Sequence, residues 1–201
     1  KKRLEKRTVT SGCGQGTVFG DMMEDLDKIK LKSKPLRQSS FYRLLKNIRE
    51  HNEVYKKSGA VHGCALCKDE KIEIFIEDVG RHNATDAIAG YMLLEEIKGS
   101  DKLFYTTGRL TSEMVIKVAQ MGISILFSRA GITKMGLELS QKLGVTTISR
   151  AAGKHFLVYN GAEMLIYDAK PSEKTSSHFH TSGVTEESSL NDRRHGSESN
   201  T

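Results

Sequence analysis

The chain has 201 residues, of which 37% are hydrophobic and 28% are charged, and its formal net charge at pH 7 is +6. This length and composition are enough for one domain with a hydrophobic core. No stretch approaches the roughly 20 consecutive apolar residues of a membrane-spanning helix, so we expect no membrane association.

Charge and cysteine content narrow the expected partners and compartment. Lys and Arg dominate up to about Arg49, which favours an anionic partner such as nucleic acid, a phosphorylated cofactor or an acidic protein surface. No RNA-binding aromatic signature, helix-turn-helix pattern or zinc-finger spacing supports nucleic acid. The first residues lack the apolar run of a secretory signal, and three cysteines do not fit a disulfide framework. We therefore expect a cytoplasmic protein with free thiols that does not bind nucleic acid.

A thiol flanked by glycines lies near the start of the chain. Cys13 stands in residues 10–17, which read TSGCGQGT. Glycine lacks a Cβ atom and adopts positive φ angles, so this loop can present a mobile, exposed thiol. A structural cysteine is more often buried among apolar neighbours. The loop therefore predicts a reactive cysteine.

Helical and strand periodicities then alternate along the chain. Apolar residues at helical spacing predict helices over about 40–56, 84–94, 114–121 and 132–143. Alternating or continuous apolar runs predict strands at 72–76, 103–105, 123–127, 145–148, 156–159 and 164–167. The helical faces that we expect to be buried include Leu94 and Met135, and the last two strands are expected to form a hairpin around Asn160 and Gly161. This order predicts an α/β fold, a layered core in which a mixed, mainly parallel sheet is flanked by helices.

Three successive predicted strands each end in a polar cluster that contains an arginine. One such turn alone would be typical of an ordinary capped helix, but ligands of layered α/β folds gather at the carboxyl ends of strands. Arginine binds phosphate oxygens through its planar fork, and loop N–H groups add further donors. The clusters therefore predict a nucleotide or pyrophosphate site, although no Walker or dinucleotide glycine fingerprint is present. The candidate binding residues are Asp78, Arg81, His82, Asn83, Arg109, Ser128 and Arg129.

A Cys-x-x-Cys sequence lies in residues 59–67, which read GAVHGCALC. Cys64 and Cys67 could form a redox pair, half of a zinc site or two core thiols. No second pair of ligands completes a tetrahedral site, and in a strand the two thiols would point to opposite faces. Packed thiols are therefore the preferred interpretation, and we predict no metal site. His62, flanked by small residues, is a candidate for handling a proton near neutral pH.

Together these runs resemble the FdhD family of formate dehydrogenase accessory proteins. The matching pieces are TSGCGQG at 10–16, GAVH at 59–62, EDVGRHNA at 77–84, TGR at 107–109, SEM at 112–114 and SRA at 128–130. They occur in the family order and cover roughly residues 8–168. The EDVGRHN run is the most specific of them.

The resemblance implies a sulfurtransferase with a cytidine-deaminase-like layered core, usually a homodimer. Such proteins receive sulfur from a cysteine desulfurase and pass it to the bis-guanine-dinucleotide molybdenum cofactor of apo formate dehydrogenase. The family's persulfide-carrying cysteine corresponds to Cys13. The guanine-nucleotide part of the cofactor would lie among the strand-end clusters, which also include His62.

The chain departs from the family pattern in three places. Gly16 stands where many members have a second loop cysteine, so Cys13 would act alone. Ala87 stands where a lysine is common, and the family's amino-terminal β-rich region is largely missing. We expect three segments, namely residues 1–38 with the cysteine loop, an α/β core domain at 39–170 and a disordered tail at 171–201, which holds almost no large apolar residues.

In the expected mechanism Cys13 attacks the persulfide of a desulfurase. His62 or His82 would handle a proton, and Asp78 would orient a neighbouring donor. The alternative function is a non-covalent carrier or chaperone of the molybdenum cofactor. A hydrolytic deaminase is a weaker alternative, because its zinc chemistry requires His-x-Glu and Pro-Cys-x-x-Cys sequences and neither occurs.

Overall fold

A computed structural model of the protein describes Leu26 and residues 29–169. The Cys13 loop and the segment 171–201 lie outside the described residues. The predictions made for those two segments, and the domain boundaries drawn from them, therefore stay predictions.

The described elements alternate between strand and helix. The first half holds β1 (Leu36–Arg37), α1 (Gln38–His51), α2 (Glu53–Ser58), β2 (His62–Lys68), β3 (Lys71–Asp78) and α3 (Arg81–Leu94). After a 3-10 turn at Gly99–Asp101 come β4 (Leu103–Thr106), α4 (Ser112–Gln120), β5 (Ile125–Ser128) and α5 (Lys134–Leu143). The described region closes with β6 (Thr146–Ala152), β7 (His155–Asn160), a 3-10 turn at Ala162–Met164 and β8 (Leu165–Ile166).

Six strands form one sheet in the order β3-β2-β4-β5-β6-β7. The central strands β4, β5 and β6 are parallel, whereas β2 is antiparallel to both of its neighbours and β7 is antiparallel to β6. Strands β3, β4, β5 and β6 therefore all end at the same edge of the sheet, and β2 begins there. The predicted α/β layered fold with a mixed sheet and flanking helices is confirmed.

Hydrophobic side chains cover both faces of this sheet. Helices α3, α4 and α5 pack on one face, in a core that includes Phe104 and Leu126. Helix α1 packs on the other face, where Tyr105 and Phe127 point because successive residues of a strand alternate between faces. Phe41 of α1 meets Phe127 edge to face, with ring centroids 5.1 Å apart. The described residues thus form three layers, with helices on each side of one sheet.

The predicted hairpin between the last two strands is wrong. Gly161 adopts a left-handed conformation with φ of 80°, and the chain enters the 3-10 turn instead of reversing beside β7. Strand β8 pairs in parallel with β1, with Leu165 opposite Leu36. Both leucines are buried in the core beneath α1, so hydrophobic burial places this segment there.

The single helix predicted over 40–56 is also interrupted. Asn52 lies between α1 and α2, with ψ of 61°, and its side-chain Nδ2 donates to the Ile48 carbonyl at 3.1 Å. Two residues expected on buried helical faces are exposed, since Leu94 is 83% accessible and Met135 57%. In α3 the last buried apolar side chain is Met92, one helical turn after Ile88, and Leu94 is the final residue of the helix.

Candidate functional site

The turns after β4 and β5 form one hydrogen-bonded unit around Gly108. Ser128 Oγ donates to the Gly108 carbonyl at 2.6 Å, and the Gly108 N–H donates to Thr106 Oγ1 at 3.1 Å. The Arg129 N–H donates to the Thr106 carbonyl at 3.2 Å. Ser128 is therefore a buried structural link of the site, and the second and third predicted clusters are joined through it.

Arg81, the first residue of α3, packs directly against Gly108. A Cβ atom at Gly108 would stand 2.6 Å from Arg81 Cδ, so only glycine permits this approach. Arg81 Nε is buried and has no hydrogen-bond partner among the described residues. Because buried donors are normally paired, this N–H is available to donate to an anionic ligand.

His62 lies at the start of β2, beside the turn that follows β4. Its Nδ1 is 3.3 Å from Thr107 Oγ1, which also accepts a hydrogen bond from the Gly63 N–H at 3.0 Å. Burial, and then the positive charge of Arg81, lower the pKa of His62 below its ordinary value. The imidazole is therefore neutral at pH 7 and can accept a proton or a hydrogen bond.

His82 lies beside Arg81 at the start of α3. Its Nε2 is 3.3 Å from Glu113 Oε2, whereas its Nδ1 is buried without a hydrogen-bond partner in the described structure. Burial, followed by the charges of Arg81 and Lys117, lowers the pKa of His82, and Glu113 opposes the shift. The site thus holds two neutral histidines and one arginine with unused donor or acceptor capacity.

Asp78 and Asn83 close the turn that precedes α3. Asp78 Oδ1 accepts from the Gly80 N–H at 2.7 Å and from Asn83 Nδ2 at 3.1 Å. Asp78 therefore holds the Asn83 amide in this turn, and its predicted role of orienting a donor in the reaction stays a prediction. A direct contact of either side chain with a cofactor stays a prediction.

The other two predicted arginines are exposed at the same sheet edge. Arg129 lies over the Tyr55 ring, with Cζ 5.4 Å from the ring centroid. Arg109 makes no hydrogen bond or ion pair with any described residue, so its placement in the site rests on its position beside Gly108. Three arginines thus follow the ends of β3, β4 and β5 at the same edge of the sheet, but only Arg81 is packed into the site.

The Cys-x-x-Cys thiols are on opposite faces of β2, as expected for a strand. Cys64 and Cys67 are both fully buried, one in each hydrophobic core. Cys64 Sγ is 3.3 Å from Thr106 Oγ1, and burial raises the pKa of both thiols above their ordinary value. Neither thiol is therefore a ready nucleophile, because the thiolate is the reactive form.

The described region was also searched for clusters of metal ligands and for helices that could span a membrane. Within Leu26 and residues 29–169, no group of three or more His, Cys, Asp and Glu side chains is arranged to hold a metal ion. No helix in the same part of the chain is long and apolar enough to cross a membrane.

Comparisons with known proteins decide the family. A sequence model of the FdhD/NarQ family matches residues 1–166. The chain belongs to this family. Sulfur carrier protein FdhD of Bacillus pumilus (strain SAFR-032) is 35% identical over 156 residues, which are 77% of this chain and 59% of that protein. Its counterpart in Bacillus subtilis (strain 168) is 31% identical over 167 residues, which are 82% of this chain and 63% of that protein.

A solved FdhD/NarQ-like structure agrees with the fold. The crystal structure of a protein described as a formate dehydrogenase accessory protein, from Desulfotalea psychrophila, has a TM-score of 0.65 and 30% sequence identity. The match covers 71% of this chain and 62% of that chain. This FdhD/NarQ chain therefore spans about three fifths of the length of the relatives it matches.

Several contributors to the site were not found from the sequence. Thr107 stands out in the sequence only as the first residue of the TGR motif, yet its hydroxyl accepts from the Gly63 N–H and links β2 to the end of β4. Glu77, the first residue of the EDVGRHN run, accepts hydrogen bonds from the backbone N–H groups of Val54 and Tyr55 at 3.0 and 2.8 Å. Its place in the specific EDVGRHN run is the sequence feature that could have marked Glu77 as important. No sequence pattern indicated Tyr55.

Removing the charge of Arg81 should raise the pKa of both histidines. We expect Arg81→Ala to move the imidazole titrations of His62 and His82 upward, because the arginine disfavours the protonated form of each. Lys117→Ala is the matched control and should raise only the pKa of His82. Proton NMR titration measures both shifts. Unchanged values in Arg81→Ala would contradict the proposed geometry.

The lowered pKa values also predict how stability depends on pH. Below the ordinary histidine value of 6.5, the unfolded chain binds protons that the folded chain does not bind. The free energy of unfolding should therefore decrease as the pH falls below about 6.5. Urea unfolding over a pH series measures this slope, and His82→Gln should reduce it. A slope that His82→Gln leaves unchanged would rule out this histidine as a source.

Proposed function

We propose that the protein is a sulfur carrier that holds sulfur as a persulfide on Cys13 and delivers it to the cofactor of formate dehydrogenase. The observation that carries this proposal is the burial of the other two thiols. The chain has three cysteines, and Cys64 and Cys67 are both 0% exposed with raised pKa values. Cys13, in its glycine-rich loop, is left as the carrier. The names of the curated relatives, sulfur carrier proteins, support the same role.

Loading is a thiol exchange. The Cys13 thiolate attacks the outer sulfur of a cysteine desulfurase persulfide, the S–S bond of that persulfide breaks, and the desulfurase cysteine leaves as a thiolate. On delivery the Cys13 S–S bond breaks and returns Cys13 to the thiolate. Two electrons from the reduced molybdenum acceptor convert the transferred sulfur to a sulfido ligand. In this proposal the protein is a sulfurtransferase, and it works in the cytoplasm, where thiols stay reduced.

The edge of the sheet supplies the groups that would hold the acceptor. Arg81 and Arg109 offer charged donors to the phosphates of a bis-guanine-dinucleotide molybdenum cofactor. His62 and His82, neutral near pH 7, can donate to or accept from the nucleotide, and Asn83 stands at the same turn. The expected partners are therefore a desulfurase, apo formate dehydrogenase and the guanine-nucleotide part of the cofactor, with a homodimer as the expected assembly.

Peptide mass spectrometry tests the carrier residue. After incubation with a cysteine desulfurase and cysteine, we expect one added sulfur on the peptide that contains Cys13. Cys13→Ala should lose this sulfur, whereas Cys67→Ala should keep it. Sulfur retained in Cys13→Ala would exclude Cys13, and a parent chain that never gains sulfur would favour a non-covalent cofactor carrier.

A further inference from the structure

Thr107 and His62 meet on the face of the sheet that carries Arg81. His62 and Cys64 are two positions apart in β2, so their side chains project to the same face. Cys64 Sγ is 3.8 Å from the Arg81 carbonyl, which places this face beneath the start of α3. The charge of Arg81 also acts on the His62 imidazole. His62 therefore borders the candidate site.

The hydroxyl oxygen of Thr107 is held in place by the backbone of β2. The Thr107 N–H donates to the Gly63 carbonyl at 2.9 Å, and the Gly63 N–H donates to Thr107 Oγ1 at 3.0 Å. A hydroxyl has one hydrogen to donate and two lone pairs that accept. Gly63 uses one of these lone pairs, so the hydroxyl hydrogen is still available for a hydrogen bond.

His62 Nδ1 is the acceptor that this hydrogen requires. Nδ1 lies 3.3 Å from Thr107 Oγ1, and the described residues offer the hydroxyl no other acceptor. Because Thr107 is only 9% exposed, a hydroxyl hydrogen without a partner would be costly. A hydrogen on Nδ1 would leave the hydroxyl in that state. Nδ1 therefore accepts from Thr107, and the neutral imidazole carries its own hydrogen on Nε2.

The Nε2–H group of His62 is free to donate to a ligand. Nε2 forms no hydrogen bond with any described residue, and the side chain is only partly buried. Since Nδ1 already accepts from Thr107, the one open group of the ring is a donor. An N–H donor is complementary to the oxygens of an anionic ligand, as is the guanidinium of Arg81 on the same face.

His82 leaves the opposite kind of group open. Its Nε2 is 3.3 Å from Glu113 Oε2, and a carboxylate accepts but does not donate, so the hydrogen of the neutral ring lies on Nε2. Its Nδ1 keeps a lone pair and is buried without a partner among the described residues. Both rings thus carry their hydrogen on Nε2, but His62 leaves a donor open and His82 leaves an acceptor open.

We propose that Thr107 is a positioning residue that fixes the tautomer of His62, so that His62 Nε2–H donates to the anionic ligand of the site and His82 Nδ1 is left as the hydrogen-bond acceptor. This inference rests on the proposed function for the identity of the ligand, whereas the tautomer is a property of the protein alone. It assigns different groups to two histidines that the sequence presents as equivalent.

Heteronuclear NMR of the imidazole nitrogens tests the tautomer in the free protein. At about pH 8, well above the ordinary histidine pKa, we expect His62 Nε2 to be protonated and Nδ1 to be unprotonated. Thr107→Val removes the hydroxyl and should give a mixture of the two tautomers, whereas Thr107→Ser keeps the hydroxyl and should show Nε2–H alone. A hydrogen on His62 Nδ1, or on His82 Nδ1, in the parent chain would overturn the proposal.

A double-mutant cycle tests whether Thr107 acts through the His62 ring. In calorimetric titrations with guanosine diphosphate, Thr107→Val should weaken binding about 3- to 10-fold, the effect of one lost hydrogen bond, and Thr107→Ser should bind like the parent chain. In a His62→Ala background, Thr107→Val should cause no further loss. An equal loss in both backgrounds would show that Thr107 is merely structural and would overturn the proposal.

The proposals can fail separately in these experiments. A parent chain that binds no guanosine diphosphate would overturn the donor role of His62 together with the proposed nucleotide site, whereas the NMR measurement decides the tautomer without any ligand. Neither measurement depends on sulfur loading of Cys13, so failure here is distinguishable from failure of the sulfur-carrier proposal.

Discussion

Replacing Arg81 by alanine is expected to weaken guanosine diphosphate binding about 10- to 100-fold, the effect of losing a charged hydrogen-bond donor to phosphate. Arg81 is packed into the candidate site and has a buried Nε without a partner among the described residues. Calorimetric titration measures the change. Lys71→Ala is the matched control, because it removes one positive charge where β3 begins, at the other end of the strand from the site. This variant should bind guanosine diphosphate with the affinity of the parent chain.

A second variant tests the same site without changing its charge. Gly108→Ala places a Cβ atom within 2.6 Å of Arg81 Cδ, so the arginine side chain must move. We expect weaker guanosine diphosphate binding with an intact far-ultraviolet spectrum. Parent-like affinity in both Arg81→Ala and Gly108→Ala would contradict the placement of the nucleotide at this turn.

Replacing Cys13 by alanine is expected to reduce matured formate dehydrogenase activity to the level of cells that lack this protein. The loss should be nearly complete because Cys64 and Cys67 are buried on opposite faces of β2 and cannot replace the nucleophile. Formate oxidation and sulfur content of the purified dehydrogenase measure the effect. Cys67→Ala is the control and should retain activity, because it removes only a packed thiol.

Full activity with Cys13→Ala would contradict sulfur transfer. It would favour the alternative of a cofactor carrier that makes no covalent bond to sulfur. An inactive dehydrogenase with normal sulfur content would contradict it as well, because the missing step would then not be sulfur delivery.

The layered fold could be predicted because local and long-range signals agree. Apolar periodicity located α3 and α4, and Gly144, with φ of 71°, ends α5 where the sequence predicted. The carboxyl-end rule placed the three polar turns at one edge of the sheet, and the topology confirms it. These features depend on residue type and spacing alone.

The remaining features depend on tertiary contacts that spacing does not encode. The last strand pairs with β1 because Leu165 is buried beside Leu36, more than a hundred positions away in sequence. The break at Asn52 follows from burial of a polar side chain between two helices.

The most direct test follows one labelled sulfur atom. The protein is loaded with labelled sulfur by a desulfurase, separated from it, and mixed with apo formate dehydrogenase that carries its cofactor. We expect the label to leave Cys13 and to be recovered in equal amount with the cofactor, and formate oxidation to appear at the same time. Activity that appears while the label stays on Cys13 would contradict it.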